Sequence, residues 1–325
     1  MQVDEDLLVQ SPSQASTGSI QYIQALHKEA GGGIKTGIVD LDKVLLPMRP
    51  GELITVMGYT SNYKSGFMNW CAKEALKSIP PGNDDEVVVK VTWEQSVEED
   101  TISWLAFDSG ISITQMARGA LDTKDWSLIN RSAIRRAVTP IWIVGHSQLE
   151  SEKIRKPRPR MTMTDVMNAC EFICNDATDH KLKIRLVVLD YLQRIRPDPS
   201  DGGDKRLQVM EAVNRVKDLG ISFGTPVMLG VQTKRILDRE NKSPRIDDGQ
   251  ETSNIEQSSD KVIGVWYPIK TEKEGSKIGD LVVQKNLLIA SILKQKLGPA
   301  PATFALYVDP EHNHIGSMDT STDVY

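Results

Sequence analysis

The run Gly58-Tyr59-Thr60-Ser61-Asn62-Tyr63-Lys64-Ser65 opens on a glycine and closes on a lysine–serine pair. Residues of this type and order can bind phosphate. Consecutive backbone N–H groups and the N-terminus of a following helix converge on the oxygens of the anion. Lys64 would then reach the terminal phosphates of a nucleotide, and the Ser65 hydroxyl would ligate Mg²⁺ beside them. Gly58 starts the turn, and Thr60, Ser61, Asn62 and Tyr63 complete the cradle. One position departs from the usual pattern, because Tyr63 stands where a glycine normally precedes the lysine. Glycine there takes unusual φ/ψ and lets the backbone approach phosphate with no side chain in the way. A tyrosine is expected to fit only with ordinary dihedrals and its ring turned aside, and Asn62 is the neighbour that tolerates a left-handed conformation.

Three further polar residues follow short apolar runs. Glu94 comes just after Val87–Thr92, Asp190 ends Arg185–Leu189, and Gln232 ends Pro226–Val231. An apolar strand ending in aspartate is the pattern that places a carboxylate beside Mg²⁺. Ligands of open α/β sheets bind beyond the carboxyl ends of the strands. The three side chains are therefore expected to gather where a nucleotide on the loop would sit, with Mg²⁺ beside it.

The elements that must position them read as an α/β domain. Strands are expected at Glu52–Met57, Val87–Thr92, Ile141–Val144, Arg185–Leu189, Pro226–Val231, Lys261–Tyr267, Leu287–Lys294 and Phe304–Asp309. Helical spacing marks Ser65–Ser78, Val97–Asp108, Ile113–Arg118, Thr164–Thr178 and Arg206–Leu219. Several strands are almost wholly apolar, as in a mostly parallel central sheet flanked by helices on both faces. The last three succeed one another with little helix, which predicts antiparallel edge strands near the C-terminus. Ahead of this domain, residues 1–18 read as a disordered arm, and 19–35 as a helix (Ser19–Ala30) with a glycine hinge. The α/β domain itself is expected over 36–315, with an acidic tail at 316–325. A helix so short is marginal alone and needs a surface, on its own domain or on a neighbour.

Composition narrows the class. The chain has 325 residues, 39 Lys+Arg against 44 Asp+Glu, a net charge of -5 and 26% charged residues, which fits a folded protein and excludes wholesale disorder. No apolar run reaches the roughly 18–20 residues of a membrane helix, and the acidic start lacks the order of a secretory signal. A cytoplasmic protein is expected. Three cysteines, Cys71, Cys170 and Cys174, do not make a disulfide framework. With an acidic chain, any nucleic acid must be held by local cations.

From Thr36 to Phe304 the chain resembles the motor domain of the DnaB-family replicative helicases, a RecA-like P-loop NTPase. The resemblance rests on Thr36-Gly37 with Leu41-Asp42, Pro50-Gly51-Glu52-Leu53, Asp190-Tyr191-Leu192-Gln193, Ser253-Asn254-Ile255-Glu256-Gln257 with Asp260, and Lys294-Gln295-Lys296 with Gly298-Pro299. It implies that Glu94 is the general base for the attacking water, that Asp190 holds Mg²⁺ through water, and that Gln232 senses the γ-phosphate. It implies that Lys294 and Lys296 act on the nucleotide of a neighbouring subunit. The family usually has arginine at the second of these positions, and lysine keeps the charge but loses the planar fork.

Cations on channel-facing loops would track single-stranded DNA: Lys205 and Arg206, then Lys234, Arg235, Arg239, Lys242 and Arg245. The Pro- and Arg-rich segment 152–160 lies off the matching motifs and could bind nucleic acid, an acidic partner, or nothing. The implied assembly is a homo-oligomer, hexameric in the family, with primase or a helicase loader as further partners and no membrane. The N-terminal collar domain of the family is expected to be missing. The function implied is ATP-driven helicase translocation on single-stranded DNA. The alternatives are an ATP-binding scaffold with slow or no hydrolysis, suggested by Tyr63 and Lys296, and a recombinase-like filament former, which Asp190-Tyr191-Leu192-Gln193 argues against.

Overall fold

The computed structural model describes residues 10–28, 33–149, 161–175, 177–198, 201, 203–233, 243–248 and 252–318. Its centre is a nine-stranded sheet. In chain order the strands are β1 (Leu53–Gly58), β2 (Glu86–Thr92), β3 (Ile141–Val144), β4 (Lys183–Asp190), β5 (Val227–Gln232), β6 (Lys261–Trp266), β9 (Leu287–Gln295), β10 (Ala302–Asp309) and β11 (His314–Ser317). A separate small hairpin pairs β7 (Lys277–Ile278) with β8 (Leu281–Val282). Across the sheet the order is β11-β10-β9-β6-β1-β5-β4-β2-β3. The six strands from β6 to β3 run parallel, and β9, β10 and β11 add antiparallel at one edge.

Both faces of the parallel part are covered, which is why its strands are continuous apolar runs rather than alternating ones. On β1, Ile54 and Val56 face one core with Phe67, Met68 and Trp70 of α3 (Lys64–Lys77). Leu53 and Met57 face the other core, with Val166, Cys170 and Ile173 of α7 (Met163–Asn175) and Val213, Val216 and Leu219 of α8 (Lys205–Ser222). Burial of strand side chains on alternate faces fixes the register, because a slip of one residue would exchange the two cores.

Several expectations are corrected. The first helix, α1 (Pro12–Lys28), begins inside the stretch read as a disordered arm. Ser11 and Gln14 bond reciprocally across its first turn (Ser11 N–H to Gln14 Oε1 2.8 Å, Gln14 N–H to Ser11 Oγ 3.3 Å), and Pro12 follows the cap. Ile20, Tyr22 and Ile23 of this helix are exposed rather than laid on the domain. Ile34, placed in the hinge, is buried and bridged to Met48, so the packed unit starts earlier than Thr36. At the other end β11 carries the sheet through Ser317, into the stretch expected as tail. A helix absent from the sequence reading, α6 (Thr123–Ala137), is closed at its start by a reciprocal Asp122–Asp125 capping box. The remaining helices are α2 (Val39–Asp42), α4 (Val97–Ser109), α5 (Ile113–Ala117) and α9 (Thr252–Ser258). Among the described residues no helix is long and apolar enough to cross a membrane. The segment 152–160 lies outside the described residues.

Candidate nucleotide site

The pairing register brings the ends of four strands into line. Gly58 of β1 stands opposite Gln232 of β5, and Asp190 of β4 opposite Thr92 of β2. Trp93 N–H donates to Asp190 O at 3.2 Å, so Glu94 follows directly at the same edge. The loop 59–63 leaves β1 here and α3 starts at Lys64. Thr60, Ser61, Asn62, Tyr63, Lys64, Ser65, Glu94, Asp190 and Gln232 all line one cleft of about 1560 Å³. The convergence expected from the three strand ends is thus present.

Lys64 is almost buried and lies 3.5 Å from Asp190 Oδ1 and 4.6 Å from the ring centre of Tyr191. That Asp190 oxygen is buried and has no hydrogen-bond partner among the described residues. A buried carboxylate oxygen without a donor is costly unless a cation or a ligand completes it. Ser65, in the first turn of α3, lines the same cleft, so the hydroxyl and carboxylate present suit a hard divalent cation such as Mg²⁺. Gln232 donates from its side-chain amide to Thr60 Oγ1, tying the end of β5 to the phosphate loop. Gln193 holds the Gln232 backbone from both sides, donating to its carbonyl at 3.0 Å and accepting from its N–H at 3.1 Å.

Tyr63 is accommodated in a way the sequence reading did not foresee. Its backbone is left-handed (φ 65°, ψ 19°), as is that of Ser61, whereas Asn62 is not the residue that absorbs the turn. Asn62 is buried and acts through its side chain instead. It donates to Thr60 O at 3.1 Å and accepts the N–H of Tyr267 at 2.9 Å, bonding the loop to the end of β6. The Tyr63 ring lies over Gly66, where an added Cβ would come within 2.5 Å of it. Its hydroxyl donates to Asn313 Oδ1 at 2.8 Å, in the turn between β10 and β11. Burial raises the phenol's pKa. The expectation of ordinary dihedrals is therefore wrong and that of an averted ring is right. A signal was available: a bulky residue three places before a glycine at a helix start shares its face.

Other wall residues escaped the sequence reading. Arg194 lines the cleft and donates to the Tyr191 hydroxyl at 3.2 Å. That bond, and more weakly the charge of Glu94, favour its charged form. Asn313 gave no sequence signal, since nothing in a turn residue announces a partner 250 positions away.

Lys294 and Lys296 lie at the opposite edge. Lys294 pairs in register with Val262 near the start of β6, whose neighbour β1 begins there and ends at the phosphate loop. Through Val262, Lys294 is level with Thr55, about 10 Å of strand short of Gly58, and Lys296, bonded to Asp260 ahead of β6, lies further back. Neither is among the residues that line the cleft. Both leave the same face of the chain because they are two apart, and the buried Gln295 between them pins the segment. Its amide bonds Val44 O (3.0 Å), Pro299 O (2.7 Å) and Leu46 N–H (3.0 Å). Gly298 leaves room for that amide, since an added Cβ would fall 2.5 Å from it. Lys294 donates to Glu256 O, and Lys296 pairs with Asp260.

Of the DNA-contact candidates, Lys205 and Arg206 open α8 but their side chains lie outside the described set. Lys234, Arg235, Arg239 and Lys242 lie outside the described residues. Arg245 is exposed, its N–H bonded to Asp248 at 2.8 Å.

A mostly parallel sheet with a phosphate loop at its central carboxyl edge and acidic strand ends beside it defines a RecA-like P-loop nucleotide-binding domain. The profile of the family described as DnaB-like helicase C terminal domain matches residues 33–313. The chain belongs to that family.

It is 24% identical over 306 residues to the replicative DNA helicase DnaB of Rickettsia conorii, covering 89% of this chain and 58% of that protein. To the replicative DNA helicase DnaC of Bacillus subtilis it is 23% identical over 305 residues, covering 93% and 60%. The chain spans less than two thirds of the length of these relatives. Among solved structures, a DnaB-like replicative helicase studied for its interactions with primase superposes with a TM-score of 0.74 at 17% identity, over 97% of this chain and 69% of that one. A second solved structure, an ATPase domain on its own, gives 0.74 at 16%, over 95% and 100%. These likenesses extend the fold across nearly the whole chain.

Proposed function

We propose that the chain is an ATP-hydrolysing motor that assembles as a ring, hexameric as the family resemblance implies, and moves along single-stranded DNA. The observation that carries it is the division of the chemistry between the two edges of one sheet. Lys64, Ser65, Glu94, Asp190 and Gln232 share a cleft at the carboxyl edge. Lys294 and Lys296 stand at the other edge, away from that cleft, which supports a role toward a different copy.

The backbone of the loop and the α3 N-terminus bind the phosphates, with Lys64 against the terminal ones. Ser65 and Asp190 would hold Mg²⁺, which supplies positive charge to the phosphate oxygens. Glu94 takes a proton from water as the water oxygen bonds to the γ-phosphorus. The bond from that phosphorus to the β-phosphate oxygen breaks, releasing ADP and phosphate. Gln232, already bonded to Thr60, carries the loss of the γ-phosphate into β5 and onward along the chain toward Lys234, Arg235, Arg239, Lys242 and Arg245. Those cations, with Lys205 and Arg206, contact the DNA backbone. The structural likeness to a helicase studied with primase makes primase the first protein partner to try.

The deciding measurement is steady-state ATP turnover with and without single-stranded DNA. Turnover that DNA stimulates, and that Glu94→Gln lowers by roughly 10²–10⁴-fold with ATP binding intact, supports the motor. Turnover equal to that of Glu94→Gln, with ATP still bound, would sink it. A nucleotide-dependent scaffold would then lead, a reading favoured by the pairing of Lys296 with Asp260 of its own chain.

A further inference from the structure

Lys296 reaches solvent with 61% of its side chain exposed, yet its ammonium sits 2.6 Å from Asp260 Oδ1. Asp260 is otherwise fully committed. Its side chain is only 5% exposed, its Oδ2 accepts the Leu53 N–H at 2.8 Å, and the same oxygen pairs with the ammonium of Lys217. Lys217 also donates to Gly51 O at 2.7 Å, so α8 clamps the start of β1 and the start of β6 together. The backbone closes the same knot, with Asp260 N–H to Leu53 O at 2.9 Å and Lys296 N–H to Asp260 O at 3.0 Å.

One buried carboxylate therefore faces two ammonium groups, and the less exposed of them, Lys217, is the one shared with backbone. With Lys217 in place Asp260 stays neutralised when Lys296 departs, and the exposed pair that breaks is of the weak kind. Without Lys217, Lys296 would be the only ammonium bonded to a buried carboxylate, and removing it would leave that charge uncompensated.

We infer that Asp260 is the resting site of Lys296, and that Lys217 is a positioning residue that keeps Lys296 releasable toward the nucleotide of a neighbouring copy. This rests on the trans-acting role proposed above. The difference between the two lysines is what the geometry adds: one is a fixed counter-ion and the other a mobile one.

The test is a cycle of Lys217→Met, Lys296→Ala and the double variant, reading kcat and KM for ATP on the assembled protein. Lys296→Ala is expected to lower kcat by about tenfold or more. Lys217→Met should lower kcat by roughly fivefold through a tighter hold on Lys296, with KM unmoved. Lys217→Arg, which keeps a cation on Asp260, should restore it. The double variant should be no slower than Lys296→Ala alone.

A Lys217→Met loss that adds in full to that of Lys296→Ala would overturn the inference, as would wild-type kcat in Lys217→Met. Wild-type kcat in Lys296→Ala would remove the trans-acting role itself, and this inference with it. A Lys217→Met loss that the arginine does not restore would mark a merely structural contact and overturn the inference.

Discussion

At the carboxyl edge of the sheet, Asp190 keeps one buried oxygen with no hydrogen-bond partner among the described residues and a lysine held off at 3.5 Å. At the amino edge, Asp260 has both oxygens engaged, by the Leu53 N–H, Lys217 and Lys296. The two carboxylates are equally shielded from solvent and stand at opposite ends of the same sheet's strands. What separates them is satisfaction. A buried acid that is fully bonded ties elements together, whereas one left short stands ready for a ligand that completes it. The comparison also separates two kinds of lysine: Lys64 faces a vacancy in bonding, and Lys217 fills one.

The largest effect on binding expected at either edge is at Lys64. Lys64→Ala should weaken ATP binding by roughly a hundredfold, because a charge-assisted contact to phosphate is lost in a nearly dry position. Titration with a fluorescent nucleotide measures it, and unchanged affinity would break the contrast with Lys217. Next comes Gly66→Ala, whose methyl would fall within 2.5 Å of the Tyr63 ring. Overpacking of this kind costs about 1–3 kcal/mol, seen as a lower melting temperature. Tyr63→Gly in the same chain should restore it, and a loss that persists would show that the ring is not the obstacle.

A smaller effect is expected at Asp260. Burial raises its pKa, but the bonds from Lys217, Lys296 and the Leu53 N–H outweigh it and hold the carboxyl below its usual value. The stability it contributes is then complete above the unfolded carboxylate pKa, and is lost as pH falls through the lower folded value. Asp260→Asn should be less stable at neutral pH, with a flatter acid limb below about pH 4 in denaturant melts. An unaltered acid limb would mean that the amino edge is not held electrostatically. Least of all, Tyr63→Phe should cost roughly 1 kcal/mol by deleting the bond to Asn313. A cost near zero would move the anchor from the hydroxyl to the ring.

The parallel strands were legible because they are buried on two faces and so leave unbroken apolar runs, such as Leu186 to Leu189. Their polar ends were legible for the same reason, as abrupt stops in those runs. α6 was legible too, with Trp126, Ile129 and Ala133 at spacings of three and four behind an Asp122–Asp125 capping box, although it buries only Ile129 and Ser132. β11 is four residues at a sheet edge and carries little pattern of its own. Within the site, Lys64, Ser65, Glu94, Asp190 and Gln232 could be placed from sequence, since each follows from one strand and the turn after it. Tyr63 could be seen to be anomalous but its solution could not, because that depends on Gly66 from the helix and Asn313 from the far hairpin. Asp260 was visible only as part of a motif; its double lysine pairing joins α8, β6 and the end of β9, which sequence order does not bring together.

The placement of the two lysines at the edge remote from the phosphate loop has a consequence for symmetry. If those lysines complete the site within a ring, the contact is heterologous, each copy giving through one edge and receiving through the other. An open row of such copies always ends in one uncompleted site and one unused pair of lysines. Closure into a ring removes both defects at once, so the number of working sites equals the number of copies only when the circle is shut.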